Sequence, residues 1–347
     1  MPNEIVTRAI DQVASGSHLS ADHASAVLDE IMEGRAGEVE TGAFLIALRT
    51  KGETVAELVG LARTMRRLAL HVELDPVGLV DTAGTGGGPS SFNISTAAAI
   101  VAAGAGCRVA KHGNRSATSR SGSADVLEAL GVPIELEPSE QAAAIESCGF
   151  GFMFAPRHHA AMRYVGPVRQ ALGVRTIFNF LGPLTNPAGA RRQLLGVSDH
   201  RYQETIAEAL LGLGCERALV VAGEDGIDEL SISGPTRVIE LRDGRTQEWF
   251  LEPAELGFEA RGLSEIAGGT PAENAAVIEA VLAGEHGAAR EVVAINGGAT
   301  ILVAGLADEL GGGVERALAA IDSGAAHGVL ERLRASGPAS SSTLGDR

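Results

Sequence analysis

The sequence predicts an α/β protein with a small N-terminal helical domain and a larger α/β domain built on a mainly parallel sheet. Two observations carry this. The first seventy residues show only helical patterning, and from Asp75 short apolar runs alternate with helical stretches at the spacing of βα units. The chain of 347 residues is 45% hydrophobic and 21% charged, which is ordinary globular usage and enough for a sizeable core.

The elements follow in order. Ser20 is placed to cap a helix running to about Gly34, with Ala26, Val27, Ile31 and Met32 on one face. Thr41 to Thr50 forms a second helix. Thr54 and Glu57 make a TxxE capping box for a third, which carries Val55, Leu58, Val59, Leu61, Ala62 and Met65 and ends near Leu70. These helices hold more apolar positions than they can bury among themselves, so they pack either on a second subunit or on the rest of the chain. Strands are expected at GLVDTAG, CRVAKHG, FGFMF, LLGVS and RALVVAGED, with helices at ISTAAAIVAAGAG, SADVLEALG and YQETIAEALLGLG and from about His158 to Leu172. Asp243-Gly244 between VIEL and TQEWF signals a hairpin. Residues 271–335 return to helix, and the tail 336–347 has the composition of a disordered segment. A boundary falls near 71–76.

Composition excludes several functions. No apolar run approaches the ~18 residues of a membrane span, and MPNEIVTRAIDQ lacks the pattern of a signal peptide. A net charge of −16 disfavours a nucleic-acid binder, because phosphate affinity comes from clustered Lys and Arg. Cys107, Cys148 and Cys215 are too few and too far apart for a disulfide framework or a CxxC zinc site, so a reducing cytoplasm is expected. The only lysines are Lys51 and Lys111, every other basic residue being arginine.

Two segments carry the chemistry. Asp81 to Thr96 reads DTAGTGGGPSSFNIST, entered by a strand and left by an alanine-rich helix. Glycines let backbone N–H groups reach a phosphate, and the following helix start adds partial positive charge. No Gly-Lys-Ser/Thr follows, so this is not a Walker loop, and Pro89 stands where a dinucleotide fingerprint has its third glycine. One strand later comes KHGNRSATSRSGSAD from Lys111, with Arg115, Arg120 and several hydroxyls. Neighbouring parallel strands open onto one crevice at their C-terminal ends, so the two loops are expected to face each other and to hold a ligand with phosphate at both ends. Arg120 alone reads as a surface charge. Asp228-Glu229, just past RALVVAG, points to the same crevice. Mg²⁺ takes one or two carboxylates and fills its shell with phosphate and water, so a polyphosphate beside this pair implies Mg²⁺, with Glu224 and Asp225 as rival ligands. His158-His159 lacks metal-site spacing. Arg163 and Arg169 could fork a carboxylate, although Arg163 reads as surface charge, and the turn Gly182 to Pro187 could wall a ring-shaped pocket.

GTGG…FNIST, KHGNRS…SGSADVLEALG, FNFLGPLTNP and GIDE resemble the anthranilate phosphoribosyltransferases, from the N-terminal helices to about residue 335. The resemblance implies a homodimeric enzyme of tryptophan biosynthesis with the nucleoside-phosphorylase-like phosphoribosyltransferase architecture. Its helical domain is residues 1–72, joined by a mid-chain segment near 157–180 and supplying the dimer contact, and its α/β domain is residues 73–335. The resemblance places 5-phosphoribosyl-1-pyrophosphate on Gly84, Gly87, Gly88, Ser91, Asn93, Ile94, Ser95 and Thr96, and on Lys111, His112, Gly113, Asn114, Arg115, Ser116, Ala117, Thr118, Ser119 and Ser123. Ser95, Asp228 and Glu229 resemble the Mg²⁺ ligands. Gly84, Asn114 and Arg169 resemble anthranilate contacts, with His112, His159, Gly182 and Pro183 lining the approach. Lys111, Asn114 and Arg169 are the implied catalytic set: Lys111 on the leaving group, the other two on the nucleophile. The family loop reads GTGGD and is one residue longer before FN, whereas here Gly88 replaces the acid. A pyrimidine-nucleoside phosphorylase would share the fold, but its KHSTGG-type loop is absent.

Overall fold

The computed structural model describes residues 2–116 and 120–336. Four helices open the chain: α1 (Glu4–Ala14), α2 (Ala21–Met32), α3 (Glu38–Lys51) and α4 (Val55–Arg67). Then follow β1 (Leu79–Gly84), α5 (Ile94–Gly104), β2 (Arg108–Gly113), α6 (Ser123–Ala129), α7 (Pro138–Cys148) and β3 (Phe150–Phe154). Short helices α8 (Ala155–His158), α9 (Gly166–Leu172) and α10 (Phe178–Leu181) lead to β4 (Arg192–Gly196), α11 (Gln203–Gly212), β5 (Arg217–Gly223), β6 (Thr236–Arg242) and β7 (Arg245–Leu251). The chain closes with α12 (Pro271–Leu282), α13 (Ala288–Ala304), α14 (Leu310–Asp322) and α15 (Ala325–Ala335). Residues 117–119 and 337–347, which include the expected donor contacts Ala117, Thr118 and Ser119 and nearly all of the expected disordered tail, lie outside the described residues.

The sheet order is β3-β2-β1-β4-β5-β6-β7. The first five strands are parallel, and β6 and β7 complete the edge as an antiparallel hairpin. Its turn takes positive φ at Asp243 (52°) and Gly244 (73°), the backbone that an Asp-Gly pair favours. The strand order reverses direction between β1 and β4, the place where open parallel sheets bind ligands beyond their C-terminal ends. One face is covered by α5 and α13, with α14 and α15 packed on those two helices, all in one core with Val80, Val109 and Leu219. The other face of β4–β6, through Leu195, Val220 and Ile239, shares a core with α11, the four N-terminal helices and residues of 165–184. Much of the apolar excess of the first seventy residues is therefore buried on the same chain. No described helix is long and apolar enough to cross a membrane.

Four expectations need correction. The stretch from His158 to Leu172 is not one helix. It is α8, a 3₁₀ turn at Ala160–Tyr164, and α9. Pro167 has no N–H to continue the preceding turn and disfavours helical backbone before it, so a new helix starts there. The third expected helix stops at Arg67 rather than near Leu70, because Leu70 N instead donates to His158 O (2.8 Å). Ala26 is only half-buried, and Ala24 and Leu28 complete that face of α2. Helix α1, which buries Val6, Ala9 and Val13, is an element that the sequence pattern did not single out.

The capping box of α4 holds more than a helix end. Lys51 Nζ lies 2.9 Å from Glu57 Oε2, with both side chains almost fully buried. Glu57 also accepts from Leu19 N (2.9 Å), Thr54 N (2.8 Å) and Thr54 Oγ1 (2.9 Å). Burial pushes the Glu57 carboxyl up, but these donors together outweigh it and hold it below the usual carboxylate range. Removing one partner strands the other charge. Glu57→Ala is expected to cost about 3–5 kcal/mol in denaturant unfolding. A carboxylate with a lowered folded pKa stabilises fully above its unfolded value, so in the parent this contribution is lost as pH falls through the folded pKa.

Candidate active site

A cavity of about 740 Å³ opens at the C-terminal ends of β1, β2 and β5. The glycine loop after β1, the Lys111–Ser116 segment and the 228–229 pair all line it. Of the expected donor contacts, Gly84, Gly87, Gly88, Ser91, Asn93, Ile94, Ser95, Lys111, His112, Gly113, Asn114, Arg115, Ser116 and Ser123 lie on its wall. Thr96 is fully buried behind it.

Lys111 occupies the floor and is 2% exposed. Strand β2 delivers it beside β1, where Nζ donates to Thr82 O (2.5 Å) and to Ser95 Oγ (3.2 Å) on the first turn of α5. Burial pulls the ammonium pKa down, and the charges of Asp81 and Glu229 oppose this. Asp81 is the buried counter-charge. Burial raises its carboxyl to about 6, against hydrogen bonds from Asn186 Nδ2 (2.8 Å) and His112 N (3.1 Å). Asn186 Nδ2 also donates to Ala110 O (2.8 Å), so the 182–187 turn is pinned to both central strands.

Asp228 and Glu229 retain some exposed area, but protein crowds their carboxyl groups on most sides. Burial raises both, and for Glu229 the Asp228 charge adds to it. Gly86 N donates to Asp228 Oδ2 (2.7 Å). Two carboxylates and the Ser95 hydroxyl form a hard-oxygen set that leaves room for phosphate and water, which fits Mg²⁺. Among the described residues no three His, Cys, Asp or Glu side chains cluster as a self-sufficient metal cage. The rival Asp225 is engaged elsewhere: it accepts from Ser231 Oγ (2.6 Å), Ser233 Oγ and Ile227 N (3.1 Å) and only shapes the turn.

The arginines divide. Arg115 turns its guanidinium onto α6, against Asp125 (2.9 Å) and Glu128 (2.5 Å) and 5.5 Å above the Phe154 ring. That side chain is therefore committed to a surface ion-pair network. Arg120 lies 3.8 Å from Glu273 with most of its side chain in solvent. Arg169 is off the cavity lining, with its guanidinium 5.4 Å over the Phe178 ring. His159, Gly182 and Pro183 are also off the lining but adjoin it through His112, whose ring is 5.1 Å from that of His159 and whose Nδ1 donates to Gly182 O (3.1 Å). That bond leaves His112 Nε2 as a buried acceptor with no partner among the described residues, a place for a ligand donor.

Three contributors escaped sequence reasoning. Arg175 and Asn179 line the cavity, and Asn274 Nδ2 donates to Asn93 Oδ1 (2.9 Å), which also accepts from Ser121 Oγ (3.0 Å). Asn179 is at least inside the FNFLGPLTNP motif, whereas a lone arginine and an asparagine 181 residues from its partner give no local signal. Gly88 has a steric reason: a Cβ there would lie 2.4 Å from Gly226 O. The loop over Asp228 comes so close that no acid fits at this position. Beyond it, Ser91 bridges to Ala267 and Phe92 N donates to Ile266 O (3.0 Å), which anchors the second half of the loop.

The chain matches the model of a glycosyl transferase family α/β domain over residues 77–327 and that of its helical bundle domain over residues 7–69. It is 52% identical to an anthranilate phosphoribosyltransferase of Rubrobacter xylanophilus over 331 residues, 95% of this chain and 96% of that protein. The chain belongs to the anthranilate phosphoribosyltransferase family. Among solved structures, the anthranilate phosphoribosyltransferase of Thermus thermophilus is similar at a TM-score of 0.88 and 45% identity, covering 94% of this chain and 98% of that one. The Saccharomyces cerevisiae enzyme in complex with PRPP and Mg gives a TM-score of 0.87 at 28% identity, covering 95% and 97%. The helical bundle match precedes the α/β match, in the order of the N-terminal helices and the mostly parallel sheet of this anthranilate phosphoribosyltransferase family member.

Two outcomes are expected. Burial, then the neighbouring His158 charge, lowers His159 to about 4, and burial likewise lowers His112 and His158. Imidazoles kept neutral in the fold but protonated when unfolded stabilise less as pH drops below the unfolded value. For His159 alone the loss between pH 6.5 and 4 is about 3 kcal/mol, measurable as unfolding free energy against pH, and His159→Gln should flatten that slope. Gly87 has φ +91°, and a Cβ there would sit 1.8 Å from Arg175 Nη1. In Gly87→Ala the loop must leave this backbone, a strain of about 1–2 kcal/mol that corresponds to roughly 5–30-fold weaker phosphate-ligand binding by calorimetry.

Proposed function

We propose that this chain transfers the 5-phosphoribosyl group of 5-phosphoribosyl-1-pyrophosphate (PRPP) to the amine of anthranilate, giving N-(5-phosphoribosyl)anthranilate and pyrophosphate in tryptophan biosynthesis. The observation that carries the reading is the buried Lys111 ammonium, set between the glycine loop, the start of α5 and the Asp228-Glu229 pair. A buried cation beside the Gly87 and Gly88 N–H groups, which have no acceptor among the described residues, is suited to a group that becomes more anionic during reaction.

The bond between ribose C1 and the pyrophosphate oxygen breaks, leaving positive charge on the ring and negative charge on the diphosphate. The amine nitrogen then bonds to C1 and gives up a proton to solvent. Anthranilate's aromatic amine is neutral at physiological pH, so no side chain need deprotonate it first. Lys111 and the N–H groups of Gly87 and Gly88 would stabilise the departing diphosphate. Asp228, Glu229 and Ser95 would hold Mg²⁺, which when bound neutralises diphosphate charge. Asn114 and Arg169 would hold the nucleophile in line, with Arg169 moving off the Phe178 ring to do so. The neutral His112 and His159 rings suit a pocket for an aromatic acid, because they add surface without a competing charge. The domain division at 1–72 and 73–335, with 157–180 completing the helical unit, belongs to this reading, and the core that Val165, Val168, Ile177 and Phe180 share with the N-terminal helices supports the place of the mid-chain segment. The proposal is of a cytoplasmic homodimer joined by the N-terminal helices, where Ile5 of α1 and Val39 of α3 are exposed, Val39 by 86%.

Anthranilate fluorescence is expected to fall only when protein, PRPP and Mg²⁺ are all present, and omission of any one should abolish the change. In Lys111→Ala, kcat should drop about 10²–10³-fold, the range seen when one donor to a developing anion is removed. Unchanged turnover would remove Lys111 from the leaving group. Val39→Asp should shift the protein toward monomer in sedimentation velocity with its helical content retained.

A further inference from the structure

Arg175 lies in the short connection between α9 and α10, and the reaction scheme leaves it without a role. Its backbone is tied to the helical unit, since Arg175 O accepts from Arg49 Nη1 of α3 (2.8 Å). Its side chain runs the other way, past the Phe180 ring (6.0 Å), to the glycine loop. There Nη1 donates to Gly86 O (2.9 Å) and Nη2 to Thr85 O (3.2 Å). Ser198 Oγ donates to the same Gly86 O (2.7 Å).

A trans peptide points its C=O and N–H in opposite directions. With Thr85 O on the guanidinium, Gly86 N–H faces the other side, where Asp228 Oδ2 accepts it (2.7 Å). With Gly86 O held the same way, Gly87 N–H faces away from Arg175. Neither Gly87 N–H nor Gly88 N–H has an acceptor among the described residues. Gly86 and Gly87 sit at φ 65° and 91° and have no side chains of their own to fix the loop. The guanidinium also lies close enough to lower the Asp228 carboxyl against its burial.

We propose that Arg175 is a positioning residue for the phosphoribosyl donor. Its guanidinium fork holds the carbonyls of Thr85 and Gly86, which turns the Gly87 N–H toward the diphosphate and joins that loop to the helical unit. This rests on the reading that the diphosphate binds at the glycine loop. A fork holds two carbonyls in one plane, and a lysine ammonium on a flexible stem does not reproduce it.

The test is steady-state kinetics of Arg175→Ala and Arg175→Lys with PRPP and anthranilate varied separately, together with amide exchange of residues 84–92. The donor KM is expected to rise at least about tenfold in Arg175→Ala and several-fold in Arg175→Lys, with the anthranilate KM within about twofold. Exchange in 84–92 should quicken, and added ethylguanidinium should restore part of the donor KM of Arg175→Ala. A role in general folding would instead raise both KM values together and would not respond to ethylguanidinium. That pattern, or a donor KM within about twofold of the parent in both variants, overturns the proposal. If Arg175→Ala does not fold, Arg175→Lys decides by the same KM criterion. The underlying reading fails separately: in the unsubstituted enzyme PRPP with Mg²⁺ must slow exchange in 84–92, and without that protection the donor binds elsewhere.

Discussion

An ammonium group buried beneath a glycine loop is the constraint around which this protein is built. Lys111 is out of water on a central strand, and burial pulls its ammonium pKa down. Asp81 behind it and Glu229 across the cleft oppose that pull, while Thr82 O and Ser95 Oγ accept its hydrogen bonds. Asp81 in turn needs the Asn186 amide and the His112 N–H. The whole set is a chain of mutually dependent polar groups in a low-dielectric setting, where each is costly if its neighbour is missing. The other lysine, Lys51, is buried against Glu57 in the same compact way.

The fold supplies this arrangement through strand order. Because β1 is flanked by β2 and β4, the loops after β1 and β2 open side by side, and the loop after β5 reaches across to meet them. No single βα unit contains the site. The helical unit contributes from the other side of the chain, through the 165–184 segment that shares its core and carries Arg175 and Asn179 to the cleft. A cleft walled by two packed units is one whose geometry responds to how those units sit together, and the Arg175 fork is a direct polar connection between them.

How legible the site and fold are depends on how local each signal is. TxxE at Thr54 and Glu57 is a capping box in both sequence and structure, because its partners are three residues apart. Asp243-Gly244 is a hairpin because two positive φ values are written into two residues. The stretch from His158 to Leu172 reads as one helix when apolar spacing is weighed above the break that Gly166-Pro167 imposes. Arg115 reads as a phosphate ligand in a basic loop, yet Asp125 and Glu128, one helical turn apart on α6, capture it. Arg175 and Asn274 have nothing nearby in sequence to mark them.

The sequence alone determined the element types, the alternation that demands a parallel sheet, and the two glycine- and hydroxyl-rich loops that line the cavity, since periodicity, glycine content and hydroxyl spacing are properties of short segments. It also determined the family, through long ordered motifs. Only the tertiary structure decided which charges are used and which are spent on neighbours. Whether an arginine faces a ligand, an aromatic ring or a carboxylate depends on how distant segments of the chain are brought together, and the energy of a charge depends on how much water that assembly leaves around it.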